Sequence, residues 1–99
     1  MADPLSRTAA ETALKDLDGW TLSKDGRAIS RRWTFRNFAR AMRLANLAGW
    51  QAEAQNHHPD LRVGWGYCEV TFTTHDAGGL TQADLDAAAA LQALVAAAD

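Results

Sequence analysis

The sequence predicts an α+β domain, with four antiparallel strands carrying three helices on one face in the order α-β-β-α-β-β-α. Three observations predict it. Two stretches alternate apolar and polar residues, each broken by a glycine-bearing turn. Apolar residues at helical spacing run between those stretches and after them. Thr and Asn capping signals stand where the helices would begin.

Thr8 and Glu11, three apart ahead of Ala13, Leu14 and Leu17, form the pattern of a capping box opening a short helix. Residues 20–23 and 28–35 then read as strands around the turn Lys24-Asp25-Gly26-Arg27. In the second of them Ile29, Trp33 and Phe35 share one face, and Ser30, Arg32 and Thr34 the other. Asn37 is placed to cap a long helix with Phe38, Ala41, Met42, Ala45, Ala48 and Ala52 at helical spacing. That helix ends near Gln55 or Asn56, because Pro59 pushes His58 toward extended geometry.

Leu61, Val63 and Trp65 next alternate with Arg62 and Gly64, and Cys68, Val70 and Phe72 alternate with Glu69, Thr71 and Thr73. A type II′ turn at Gly66-Tyr67 pairs Trp65 with Cys68, Val63 with Val70 and Leu61 with Phe72, all on one face. Thr81 and Asp84 make a second capping box for an alanine-rich last helix. Its Leu85, Ala88 and Val95 form a strip for the sheet. Leu91 and Leu94 form a second strip, left for association between copies.

At 99 residues the chain makes a single domain spanning 1–99, small enough that association into oligomers is expected. Apolar residues make up 47% and charged residues 22%, which excludes a disordered chain. The net charge of −2 argues against a nucleic-acid binder, whose phosphate contacts need a basic surface. Cys68 is the only cysteine, so no internal disulfide forms and a reducing compartment fits. No apolar run reaches the ~20 residues of a membrane helix. The N-terminus has neither a basic leader nor an apolar signal core. A cytoplasmic protein is expected.

The three histidines carry the chemistry. His57 and His58 occupy the loop between helix and hairpin, and His75 ends the strand paired with the one leaving that loop. In an antiparallel hairpin the start of the first strand lies beside the end of the second. The register above brings 58 near 75, so the imidazoles converge at one edge. Glu53, four residues before His57, points toward the same place from the last helical turn. Histidine titrates near neutrality, so such a cluster can donate and accept protons at physiological pH.

Two other readings stay open. His57, His58, His75 and Glu53 are adequate metal ligands, although adjacent histidines chelate one ion poorly and the usual zinc spacings are absent. Arg31, Arg32, Arg36, Arg40 and Arg43 offer a phosphate surface, against the ordinary explanation of a solvated helical face.

Residues 52–60, Ala-Glu-Ala-Gln-Asn-His-His-Pro-Asp, resemble the signature of the pterin-4a-carbinolamine dehydratase family. Thr74-His75 and the following Asp76-Ala77-Gly78-Gly79-Leu80-Thr81 with Asp84 resemble its next block. Gly19-Trp20, Ala28-Ile29 and Phe35-Arg36-Asn37-Phe38 resemble its first hairpin and helix start. The likeness spans nearly the whole chain without insertions. It departs at Leu61 and Arg62, where many relatives carry aromatics, at Trp65, where tyrosine is expected, and at Asn56, which replaces an acid.

The resemblance implies a hydro-lyase that dehydrates 4a-hydroxytetrahydrobiopterin to quinonoid dihydropterin, recycling the pterin cofactor of aromatic amino acid hydroxylases. It needs no cofactor of its own and no metal. It implies His57 and His75 as the acid/base pair and His58 mainly as a substrate-binding group. Glu53 would orient a histidine or the pterin, while Asn56, Pro59, Asp60, Trp65, Thr74 and Asp84 would complete the binding site. For Asp84 the capping box is an equal explanation. The alternative is a non-catalytic protein-binding module, since some relatives serve as transcription-factor dimerisation cofactors or assembly factors.

Overall fold

The computed structural model describes residues 3–98; Met1, Ala2 and Asp99 lie outside the described residues. The elements run α1 (Arg7–Leu14), β1 (Thr21–Leu22), β2 (Ile29–Thr34), α2 (Phe38–Gln55), β3 (Asp60–Gly64), β4 (Tyr67–Phe72) and α3 (Gln82–Ala98), with a 3₁₀ turn at His75–Ala77 before α3. The four strands form one antiparallel sheet in the order β1-β2-β4-β3. The predicted α+β class and element order stand.

Helix α1 is capped differently from expectation. Ser6 is its N-cap and accepts a hydrogen bond from the Ala9 N–H at 3.1 Å, while Thr8 and Glu11 lie inside the helix. Ser6 supplies the same hydroxyl earlier in the chain, and the bond from Leu5 N–H to the Leu80 carbonyl, 2.7 Å, fixes the entry there. Helix α2 opens as expected on Asn37, whose side chain accepts from the Arg40 N–H at 2.9 Å. Its buried stripe is Ala41, Leu44, Ala45, Ala48 and Ala52, and Phe38 stays 49% exposed at the first helical position. Four of those five residues are alanines, which lets the helix lie close to its neighbours. Gln51 bridges α2 to α3 by donating to the Ala87 carbonyl at 2.9 Å. Asn56 closes α2 in the left-handed region at φ 53°, a conformation asparagine tolerates better than most residues.

The β3–β4 register differs from the predicted one by two residues. Gly64 pairs with Tyr67, Val63 with Cys68 and Leu61 with Val70. The two-residue loop is therefore Trp65-Gly66. Gly66 sits second in it at φ +83°, which is where a type II turn demands a positive φ; the II′ turn would need that at the first position. The slip frees Tyr67, a good strand former, to join β4, and its ring lies across Gly64, where any Cβ would come within 2.3 Å of it. A two-residue shift preserves sidedness. Val63 therefore still faces the core with Cys68, Val70 and Phe72, whereas Trp65 leaves the sheet and is 72% exposed.

Helix α3 corrects a second expectation. Leu91 is fully buried beside Leu85, Ala88 and Val95, and Leu94 alone remains on the outside at 36% exposure. Positions 84, 88, 91 and 95 climb one helical face in steps of four, three and four, so Leu91 lies inside the sheet-facing strip. The core between helices and sheet gathers Trp20, Ile29, Cys68, Val70, Phe72, Leu80 and Leu91. Trp20 meets Trp33 edge-on at 5.9 Å, and its indole N–H donates to Gln92 at 2.9 Å. The opposite sheet face is polar: Ser30 and Thr71 share a 2.8 Å hydrogen bond, and the Arg32 guanidinium lies 4.1 Å from the Tyr67 ring centre.

Candidate active site

The site is assembled where three chain segments end. The left-handed turn at Asn56 lifts the chain off α2 and delivers His57 and His58 to its C-terminal end. Strand β4 runs out at Phe72, and Thr73 and Thr74 carry the chain to His75 in the 3₁₀ turn. Continued past its paired residues, the observed register sets 57 across from 74 and 58 across from 73. The predicted neighbour of 58 was 75, so the convergence holds with the strand offset by two.

Asn56, His57, His58, Thr73, Thr74, His75 and Asp76 line one open cleft of about 230 Å³. Volume does not single it out. Clefts of about 440 Å³ beside Trp50 and about 380 Å³ beside Arg31 are roomier, but neither contains a histidine.

The three imidazoles differ in their surroundings. The His57 side chain is 18% exposed, and its Nε2 lies 2.5 Å from Oδ1 of Asp84, which is fully buried. The other carboxylate oxygen of Asp84 accepts from the Thr74 hydroxyl at 2.7 Å and from the Thr81 N–H at 2.9 Å. The latter is the reach-back half of the expected capping box, so Asp84 caps α3 and holds a histidine at once. The Phe72 ring lies nearly parallel to His57, 5.9 Å between centres and 13° between planes. His58 makes a short contact through Nε2 to Glu53, with side chains 56% and 72% exposed. His75 makes no side-chain hydrogen bond among the described residues and is exposed.

Several expected site residues are placed otherwise. Asp84 is 0% exposed and meets the cleft only through His57 and Thr74. Asn56 lines the cleft but is also the helix cap that its conformation requires. Pro59 and Asp60 lead into β3 and do not line the cleft. Trp65 stands at the far end of the hairpin, about 20 Å along the strand from the histidines at ~3.3 Å per residue. Within this chain it is not brought to the site.

The sequence reads Phe72 as a core position and Thr81 as a cap within the second block of the family resemblance, neither as a site residue. Their part in the site shows once the register places Phe72 beside the loop, and the Thr-x-x-Asp spacing was the available signal for Thr81. The five arginines do not converge. Arg31 lies on the core side of the sheet, 4.5 Å from the Trp33 ring centre, and Arg32 on the other side. Arg43 donates to the Ala98 carbonyl at 2.7 Å. No group of three or more His, Cys, Asp or Glu among the described residues is arranged to hold a metal ion.

A family profile described as pterin 4 alpha carbinolamine dehydratase matches residues 3–94. The chain belongs to that family. A protein of Paracoccus denitrificans (strain Pd 1222), named provisionally as a pterin-4-alpha-carbinolamine dehydratase, is 51% identical over 92 residues, covering 93% of this chain and 86% of the relative. One from Halorhodospira halophila (strain DSM 244 / SL1), with the same provisional name, is 43% identical over 91 residues, covering 92% and 84%. A crystal structure described as a transcriptional coactivator/pterin dehydratase from Brucella melitensis superposes with a TM-score of 0.83 at 34% identity, covering 92% of this chain and 97% of that one. Family membership and the histidine cleft thus rest on independent observations.

Proposed function

We propose that this chain is a hydro-lyase that dehydrates 4a-hydroxytetrahydrobiopterin to quinonoid dihydropterin, with His57 and His75 as its acid/base pair. The observation that carries the proposal is the gathering of all three histidines of the chain on one cleft. The 4a-hydroxyl leaves well only when protonated, and the N5 proton must depart as the C4a–N5 double bond forms. An imidazolium on one side and a neutral imidazole on the other do both. Water is lost and nothing is oxidised, so the step needs no redox partner. His58, tethered by Glu53 at the exposed rim, serves as a substrate-binding group.

The proposal extends to a cytoplasmic protein that recycles the pterin cofactor of an aromatic amino acid hydroxylase and works as a homodimer or homotetramer. Phe38, Trp50 and Trp65, at 49%, 77% and 72% exposure, support self-association.

The test is the decay of freshly generated 4a-hydroxytetrahydropterin, followed by ultraviolet absorbance with and without protein. Acceleration is expected, and His57→Ala and His75→Ala should each lower it by roughly 10²–10⁴-fold with circular dichroism unchanged. Full activity in His57→Ala would overturn the acid/base assignment. No acceleration by the folded wild-type protein would favour the second reading, a protein-binding module. That reading draws on the coactivator part of the Brucella melitensis description.

A further inference from the structure

Asp84 was expected to bind substrate, yet its side chain is 0% exposed. A carboxylate at that depth must have its oxygens satisfied by donors. Oδ2 takes the Thr74 hydroxyl and the Thr81 N–H, and Oδ1 takes His57 Nε2 at 2.5 Å. The backbone N–H of Thr81 can only donate. The Thr74 hydroxyl and the Thr81 N–H both donate to Oδ2, and an ionised carboxylate offers Oδ1 only as an acceptor. Against such an oxygen, His57 Nε2 has to be the donor of the 2.5 Å contact.

The opposite nitrogen is left free. No side-chain or backbone group among the described residues hydrogen-bonds to His57 Nδ1. The backbone at His57 is fixed by its N–H bond to the Ala52 carbonyl at 3.1 Å, and the Phe72 ring lies alongside the imidazole, 13° from parallel. A neutral imidazole that donates at Nε2 is an acceptor at Nδ1. His58 lacks this arrangement, because both it and Glu53 are exposed and such pairs hold geometry weakly.

We propose that Asp84 is a positioning residue that holds His57 in the Nε2–H tautomer, so that the ring exchanges protons with substrate through Nδ1. The substrate half of this proposal rests on the dehydratase reading. In that reaction the N5–H bond of the carbinolamine breaks and its proton passes to Nδ1. The bonding pair forms C4a=N5 as the C4a–O bond breaks, and the hydroxyl leaves as water with a proton from His75. Asp84 faces the imidazolium so formed through the bond it already holds.

The substitution that tests this is Asp84→Asn. The single remaining acceptor oxygen is required by Thr81 N–H and Thr74, which turns the amide NH₂ toward His57 Nε2 and forces the proton onto Nδ1. Histidine ¹⁵N chemical shifts, followed through a pH titration until the ring is neutral, read the tautomer without reference to activity. The His57 signals are assigned by their loss in His57→Gln. Wild-type protein should show the Nε2–H pattern. Asp84→Asn should show the Nδ1–H pattern, with turnover lowered by roughly 10²–10⁴-fold and the far-ultraviolet spectrum retained.

An Nδ1–H tautomer in the wild-type protein would overturn the proposal, and that measurement stands even if Asp84→Asn fails to fold. A flipped tautomer with undiminished turnover would also sink it while leaving the dehydratase reading intact. Wild-type protein with the Nε2–H tautomer but no dehydratase activity would separate the two the other way, keeping Asp84 as the partner of His57 and removing the pterin chemistry.

Discussion

Asn56 shows how one residue can be claimed by both fold and site. It lines the histidine cleft, which by itself would make it a substrate contact. It also ends α2 at φ 53°, ψ 40°, and its N–H bonds to the Ala52 carbonyl. A β-branched residue is strained in that region, at a cost of about 1–2 kcal/mol, whereas glycine is not. Asn56→Val should therefore lower chemical-denaturation stability by about that amount, and Asn56→Gly should leave it nearly unchanged. If Asn56→Gly keeps stability and also keeps turnover, the side chain is a cap alone. If turnover drops while stability holds, the amide touches substrate. The sequence placed a helix end here from Pro59 but could not assign the left-handed conformation to Asn56, because several neighbouring residues could have closed the helix.

At the scale of elements, the last helix and the second hairpin carry the two clearest disagreements with expectation. Leu91 is buried and Leu94 is the outward leucine, although both sit in the same alanine-rich run. Leu91→Ala should cost about 2–5 kcal/mol in chemical denaturation, as large-to-small core changes do. Leu94→Ala should fall within about 0.5 kcal/mol. Equal losses would mean that the two leucines share a buried strip. The strips were hard to separate from sequence because alanine fits either face and leaves little periodic contrast. The hairpin register was legible in its sidedness but not in its offset. Gly66 is compatible with the first or the second place of a two-residue loop, and the packing of Tyr67 across Gly64 that decides between them is a cross-strand contact. The capping signals of α2 and α3, which are local, were read correctly at Asn37 and in the reach of Asp84 to Thr81.

For the molecule as a whole, the helix and strand order and the meeting of His57, His58 and His75 were legible because they follow from short-range patterns and one antiparallel pairing. The bond between His57 and Asp84 was not, since it joins residues from two helix ends brought together only by the packed core. Cys68 reports on that core. It is fully buried, and burial pushes its thiol up to about 11 from the usual 9.0. The folded state therefore favours the protonated thiol. The associated stability is fully present below pH 9.0 and is lost as pH rises toward about 11. A thiol reagent at pH 8 should leave Cys68 unmodified in native protein and modify it once denaturant opens the core. Rapid labelling without denaturant would show that the sheet opens locally.

The carboxylate of Asp84 ties these scales together, because the same two oxygens terminate α3 and hold His57. Selection for solubility and selection for turnover would then converge on one position. A screen that scores only soluble expression should disfavour most changes at Asp84 and spare Asn, which keeps an acceptor oxygen for the Thr81 N–H, although nothing in that screen asks for chemistry. Inheritance of an intact last helix would carry the partner of His57 with it, so a lineage could keep Asp84 long after losing His75.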